Sequence, residues 1–181
     1  MIKRCLMIAR FQPLHYGHLY SLEYCLSLAD EMVVVVGMAS QSHTPENPFT
    51  AGERIEMIRR ALKWRNHDLS RVITVTLPTL EVSRVAVHYV KLYSPPFQLV
   101  VTLNPIIRQI FVEEGYEVVE PPLYNRKEYR GSEVRRLMAH DDPRWRDLVP
   151  PVVAEYIEEI RGVERVKMLL RERLPGYYAT A

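Results

Sequence analysis

The residues that invite chemistry lie close to the start of the chain, in the run Ala9-Arg10-Phe11-Gln12-Pro13-Leu14-His15-Tyr16-Gly17-His18. Two histidines three apart, with a glycine between them, stand where an apolar strand-like stretch gives way to a helical pattern. At the start of a helix the backbone N–H groups and the positive end of the dipole point outward, which suits a phosphate. Gly17 removes the Cβ that would hold a phosphate off the backbone. Imidazole N–H groups add donors that can follow charge onto equatorial phosphate oxygens. The bland alternative is a chance H-x-G-H in a capped turn. Six His and seven Gly in 181 residues produce that spacing by accident in fewer than about one chain in a hundred.

A second candidate is Tyr129-Arg130-Gly131-Ser132-Glu133-Val134-Arg135-Arg136. Ser132 reads as a helix N-cap and Arg135 lies one turn into that helix, where its fork can close on a phosphate held at the helix start. Alone, S-E-V-R is a common solvated helix opening; paired with the first motif it gains weight.

The elements that must carry these residues alternate along the chain. Ile2 to Ile8 reads as a strand, and Leu19, Leu22, Leu26 and Ala29 mark a helix face. Met32 to Val36 is a valine-rich strand of the kind buried on both faces. Thr50-Ala51-Gly52-Glu53 is a capping box opening a helix through about Arg65. Val72 to Leu77, Leu99 to Thr102 and Glu117 to Val119 read as further strands. Ser83 to Leu92 admits either type, and a short helix ended by Pro95-Pro96 is the preferred reading. Asn104-Pro105 caps and starts another helix. Ser132 to Ala139, Pro151 to Ile160 and Val163 to Leu174 complete the pattern as helices. The expected fold is α/β: a Rossmann-like, doubly wound parallel sheet with helices on both faces and a helical C-terminal segment over about 132–174, all in one domain spanning 1–181. In such sheets ligands bind beyond the carboxyl ends of the strands, here after Ile8, Val36 and Leu103.

Composition narrows the class. A hydrophobic content of 48% fits a globular domain and argues against disorder. The net charge of +2, from 24 basic and 22 acidic residues, is too balanced for a nucleic-acid coat or a membrane-surface patch. The longest apolar run, Met32 to Met38, is too short to span a bilayer. The apolar stretch near the start is strand-length and runs into Arg10, so no signal peptide is expected. Cys5 and Cys25 show neither a C-x-x-C pattern nor a nearby His pair. They are expected to be buried free thiols, implying a reducing, cytoplasmic setting and no zinc site.

The first motif resembles the G-R-F-Q-P-x-H-x-G-H signature of the H-x-G-H nucleotidyltransferase superfamily, and most closely its archaeal nicotinamide-nucleotide (NMN) adenylyltransferases. Pro48-Phe49-Thr50-Ala51-Gly52-Glu53-Arg54, Pro95-Pro96-Phe97, Asn104-Pro105 and Gly162-Val163-Glu164-Arg165 are similar to landmarks of that family, and Gly131-Ser132-x-x-Arg135 to its downstream G-[ST]-x-x-R element. The resemblance implies adenylyl transfer from ATP to NMN, giving NAD and pyrophosphate. It implies His15, His18 and Arg135 as catalytic groups, and Arg10, Phe11, Gly17, His18, Gly131, Ser132 and Arg135 around the ATP. Ser40, His43, Ser83, His88 and Tyr89 are the expected acceptor contacts, each also readable as a solvated loop or helix residue. Mg²⁺ is expected to travel with ATP, because no Asp/Glu cluster is spaced as a metal cage. The family also suggests a homo-oligomer, a hexamer in the archaeal case.

Three positions depart from the family pattern: Ala9 replaces a glycine, Glu46 an arginine that contacts phosphate, and Ala86 a tryptophan that stacks on nicotinamide. Other acceptors of the same superfamily (phosphopantetheine, FMN, nicotinate mononucleotide) therefore stay open, as does a non-catalytic nucleotide sensor. Arg54 and Arg59 read as surface partners of Glu53 and Glu56. Trp64 and Trp145 read as packing residues, and the basic residues after Gly162 as a solvated face.

Overall fold

The computed structural model describes residues 3–78, 85–122 and 129–171. Five strands form one parallel sheet: β1 (Arg4–Ala9), β2 (Glu31–Val36), β3 (Val72–Thr76), β4 (Leu99–Val101) and β5 (Glu117–Val119). Their spatial order is β3-β2-β1-β4-β5. The order reverses between β1 and β4, which makes the carboxyl end of that pair the place for a ligand. Register is anchored by Met7 opposite Val34 on one side and Val101 on the other.

Alternation along the strands builds two cores. Cys5, Met7, Met32, Val34, Val36, Leu99 and Val101 face one side. There they meet α1 (Tyr16–Leu28), α2 (Ala51–Trp64) and the C-terminal helices α5 (Gly131–Ala139), α6 (Pro151–Glu159) and α7 (Gly162–Arg171). Leu6, Ile8, Val33, Val35 and Val100 face the other side, covered by α3 (Val85–Tyr93) and α4 (Pro105–Glu113). Both faces are buried, so the strands read as continuous apolar runs rather than as alternation. Each end of an element follows its local chemistry. Thr50 and Glu53 exchange both bonds of a capping box at α2, and Asn104 accepts from Ile106 and Ile107 at the start of α4. Of the ambiguous stretch Ser83 to Leu92, the described part from Val85 on is helical, as preferred, and Ser83 and Arg84 lie outside the described residues.

Two expectations are corrected. Cys5 and Cys25 are joined in a disulfide, with Cα atoms 5.8 Å apart. β1 turns Cys5 toward α1, whose last turn carries Cys25, so the sheet-to-helix packing pairs residues that show no local motif. The inference of a reducing compartment from free thiols falls with it. Of the two tryptophans read as core or lid-packing residues, Trp64 is not in the core: it closes α2 with 39% of its surface exposed, whereas Trp145 is buried. Among the described residues no helix is long and apolar enough to cross a membrane.

Candidate active site

β1 ends at Ala9 and the chain turns sharply. Phe11 takes a left-handed backbone, φ 53°, a conformation that disfavours a side chain by about 1–2 kcal/mol. Complete burial of its ring holds it there. His15 then caps α1, its Nδ1 accepting from the His18 N–H at 3.3 Å. An Nδ1 that accepts leaves the proton on Nε2. The His15 and His18 rings stack with centroids 3.7 Å apart, and Phe11 lies 4.8 Å from His18. Burial depresses the His15 imidazole to about 3. His18 is also held well below its ordinary value, by burial first and then by the charges of His15 and Arg10. Both rings are therefore neutral near pH 7, and the buried His18 Nδ1 has no hydrogen-bond partner among the described residues.

A second helix start converges on the same place. α5 opens at Gly131, where a Cβ would lie 2.8 Å from the Gln12 carbonyl oxygen. Only a glycine lets α5 approach the turn this closely. Arg130, not Ser132, is the N-cap, and no side chain caps the helix. Ser132 is exposed in the first turn instead, so the first N–H groups of α5 are left for another acceptor. Arg135 donates through Nη1 to the Gln12 carbonyl at 2.6 Å, which fixes its guanidinium beside the turn. Gln12 is the residue that sequence reasoning passed over. Its buried amide donates to the Phe49 carbonyl at 2.8 Å and accepts from the Phe49 N–H at 2.9 Å, so one side chain joins the turn to the loop before α2.

Together these parts line a cleft of about 790 Å³ at the carboxyl ends of β1 and β4. Arg10, Phe11, His15, Gly17, His18, Gly131, Ser132 and Arg135 all border it. A Cβ on Gly17 would come within 3.1 Å of both His15 Nδ1 and Tyr129 Cβ, so it would press on the His15 ring and Tyr129. Two helix starts, two neutral imidazoles and three arginines, Arg10, Arg130 and Arg135, bordering one space describe a polyanion site.

The comparisons with known proteins agree with this chemistry. Residues 6–137 match the cytidylyltransferase-like family model. The chain belongs to the cytidylyltransferase-like family. It is 50% identical over 164 residues to an uncharacterized protein of Archaeoglobus fulgidus, covering 91% of this chain and 94% of that one. It is 45% identical over 166 residues to a nicotinamide-nucleotide adenylyltransferase of Ignicoccus hospitalis, covering 92% and 97%. Its fold matches the crystal structure of a bifunctional NMN adenylyltransferase/ADP ribose pyrophosphatase from Francisella tularensis with a TM-score of 0.67 at 17% identity. That alignment takes in 95% of this chain and spans 57% of the bifunctional one.

The expected acceptor contacts of this cytidylyltransferase-like protein are scattered by comparison. Ser40 and His43 lie in the loop after β2, both exposed. Ser40 Oγ donates to the Pro78 carbonyl, and His43 Nδ1 lies 3.0 Å from Ser42 Oγ. His88 and Tyr89 are exposed on α3, and neither borders the cleft. Ser83 lies outside the described residues. Ala86 is buried on the inner face of α3. Glu46 is exposed on its loop, yet its charge acts on Arg135: burial and Arg10 lower the Arg135 guanidinium, and Glu46 opposes them.

Two arginines contradict their reading as solvated. Arg54 is wholly buried rather than paired on the surface of α2. Arg60, not Arg59, bonds Glu56. Arg165 is no part of a solvated face: it holds Glu53 through two bonds of 2.7 and 2.8 Å and donates to the Pro48 carbonyl. The helix spacing of these residues was legible, but which face the C-terminal helices would cover was not.

Proposed function

We propose that this protein transfers the adenylyl group of ATP to nicotinamide mononucleotide, giving NAD and pyrophosphate. The convergence of His15, His18 and Arg135 on one cleft supports the reaction type. The 45% identity to a nicotinamide-nucleotide adenylyltransferase over nearly the whole chain supports the acceptor.

The acceptor phosphate is largely ionised at neutral pH and needs no strong base. One of its oxygens attacks the α-phosphorus in line, the new P–O bond forms, and the bond to the β-phosphate breaks to release pyrophosphate. Catalysis is then mostly positioning and charge stabilisation. His18 donates to the α-phosphate as charge builds on it. His15 and Arg10 hold the phosphate chain, with the amides at the start of α5 beside them. Arg135 takes the β,γ-phosphates with the nitrogens not committed to Gln12. Mg²⁺ enters as part of the substrate, bound to the triphosphate and water. The polar side chains bordering the cleft are imidazoles, guanidiniums, hydroxyls and amides, with no Asp or Glu among the described residues there.

The proposal extends to assembly. Val85, Tyr89, Leu92 and Tyr93 form an exposed apolar stripe along the outer face of α3, with Leu92 78% exposed. Burial of such a stripe between copies favours a homo-oligomer, which light scattering on the purified protein measures directly.

The deciding experiment is an acceptor screen with ATP and Mg²⁺, scored by pyrophosphate release, across NMN, nicotinate mononucleotide, FMN and phosphopantetheine. NMN is expected to lead. If FMN or phosphopantetheine exceeds it by more than about tenfold in kcat/KM, the acceptor assignment fails and the transferase reading stands. No turnover with any acceptor, alongside ATP binding, identifies a sensor.

A further inference from the structure

A buried cation beneath the cleft has no part in the chemistry above. Arg54, in the first turn of α2, is the largest of the fully buried side chains. Its Nε donates to the Thr50 carbonyl at 3.1 Å. Its Nη1 donates to the carbonyls of Arg10 at 2.9 Å and Gly37 at 2.7 Å, and its Nη2 to that of Met38 at 3.1 Å. One guanidinium thus binds the exits of two adjacent strands. Arg10 follows β1, and Gly37 and Met38 follow β2. All three border the cleft.

The backbone at both exits is strained in the same way. Phe11, next to Arg10, and Met38 itself each have φ 53°, a left-handed conformation in a bulky residue. Such conformations persist only where surrounding structure over-determines them. No carboxylate bonds Arg54 among the described residues; the adjacent Glu53 acts on it only through space and is itself held by Arg165. A buried charge without an ionic partner is an expensive way to fill space. What a guanidinium adds over any apolar residue is a planar fork of donors in fixed geometry, matched here to carbonyls from separate strands.

We propose that Arg54 is a positioning residue that sets the exit of β1 against the exit of β2, and thereby the ATP α-phosphorus against the acceptor phosphate. The proposal rests on the reading that the cleft holds both substrates. The β1 exit carries Arg10, His15 and His18. The β2 exit leads into the loop of Ser40 and His43. ATP is gripped from β1 and α5, so it binds without Arg54; the in-line approach of the acceptor does not survive without it. A displacement of about 1 Å between reacting groups lowers turnover by about a hundredfold.

The test compares wild type with Arg54→Lys and Arg54→Gln in the full chain. Folding is followed by circular dichroism, ATP affinity by calorimetry, turnover by pyrophosphate release, and local opening by hydrogen exchange. Arg54→Lys keeps the charge but not the fork. It is expected to fold, to bind ATP within about threefold of wild type, and to lose about 30- to 100-fold in kcat. Exchange should rise at residues 10–12 and 37–39 together while β1 and β2 stay protected. A folded Lys or Gln variant with kcat within about threefold of wild type overturns the proposal. So does a fall in kcat matched by an equal loss of ATP affinity, because Arg54 would then serve binding. If neither variant folds, the Arg54 guanidinium NMR signals of wild type decide. They should be resolved and should shift on adding ATP and again on adding acceptor; signals unmoved by either ligand overturn the proposal. Failure of the functional reading appears earlier and separately, as wild type without turnover. Arg54 is then judged on the paired rise in exchange, which must occur at both exits.

Discussion

The two halves of the cleft are built differently. On the triphosphate half nearly every group is held by another. His15 caps α1, His18 stacks on His15, and Arg135 is tied to the Gln12 carbonyl, whose side chain is in turn tied to Phe49. On the acceptor half the described residues expected from sequence, Ser40, His43, His88 and Tyr89, are exposed on a loop and a helix, and none of them borders the cleft in the free protein. Preorganised donors cost no reorganisation when charge develops, whereas exposed side chains must be ordered at each binding event. On the proposed function the chemistry belongs to the first half and selectivity to the second, and the difference can be tested from both sides.

The largest expected effect lies at the centre of the ordered half. His18→Ala should lower kcat by about 10²–10³, equivalent to about 3–4 kcal/mol, while ATP still binds. Steady-state turnover alongside ATP calorimetry measures the split. A fall of less than about fivefold would remove His18 from the reacting atoms.

The same order should make the protein sensitive to acid. Burial brings the His15 imidazole from an ordinary 6.5 to about 3. Above pH 6.5 folded and unfolded chains both hold a neutral ring, and the shift has no effect on stability. As the pH falls below 6.5 the unfolded ring takes a proton that the folded ring refuses, so stability declines until about pH 3. Between pH 6.5 and 5 this amounts to about 2 kcal/mol for that ring, or about 4–8 °C in Tm for a chain of this size. His15→Gln should melt with a visibly shallower dependence over that window. An unchanged slope would mean that the ring is not buried neutral.

How much of this was legible follows from the same division. The H-x-G-H turn and the Gly131–Arg135 element are short and local, and local spacing predicts what they become: a helix start and a fork one turn inside another. The strands were legible because both faces are buried and the valine runs are continuous. What sequence could not show depends on contacts across the fold. Cys5 meets Cys25 only because β1 packs on α1. Arg54 carries the same one-letter pattern as a solvated helix arginine, and only the arrival of two strand exits above α2 buries it. Glu53 was read as the capping residue it is, but its partner Arg165 lies 112 residues away. The acceptor half has no local motif, and it was the least legible part.

A smaller effect is expected where the ordered half meets the leaving group. Arg135 spends one nitrogen on Gln12, and a lysine there cannot hold that carbonyl and a phosphate in one plane. Arg135→Lys should raise the KM for ATP about tenfold, equivalent to about 1.4 kcal/mol, and that for NMN by less than about twofold. Equal changes in both would mean that the two halves are not separable, and no change in either would take Arg135 out of the site.

The smallest effect is the one that tests the acceptor half itself. Tyr89 and His88 are the aromatic residues nearest in sequence to Ala86. The structure leaves Tyr89 51% exposed on the outer stripe of α3, while Ala86 points into the core beneath it. A ring on the outer face of a helix cannot stack on a ligand at the carboxyl ends of β1 and β4 unless α3 itself turns. Tyr89→Ala should therefore leave the KM for NMN and for ATP within about twofold, below the 0.5–1.5 kcal/mol that an aromatic pair contributes. Its measurable consequence should be in assembly, as a lower mass by light scattering. Ala86→Trp makes the complementary test. With Ala86 packed between α3 and the sheet, an indole overpacks that core and should lower stability by about 1–3 kcal/mol. If instead it tightens NMN by more than about fivefold with ATP unchanged, α3 does border the acceptor, and the acceptor half is better ordered when substrate is bound than the free protein shows.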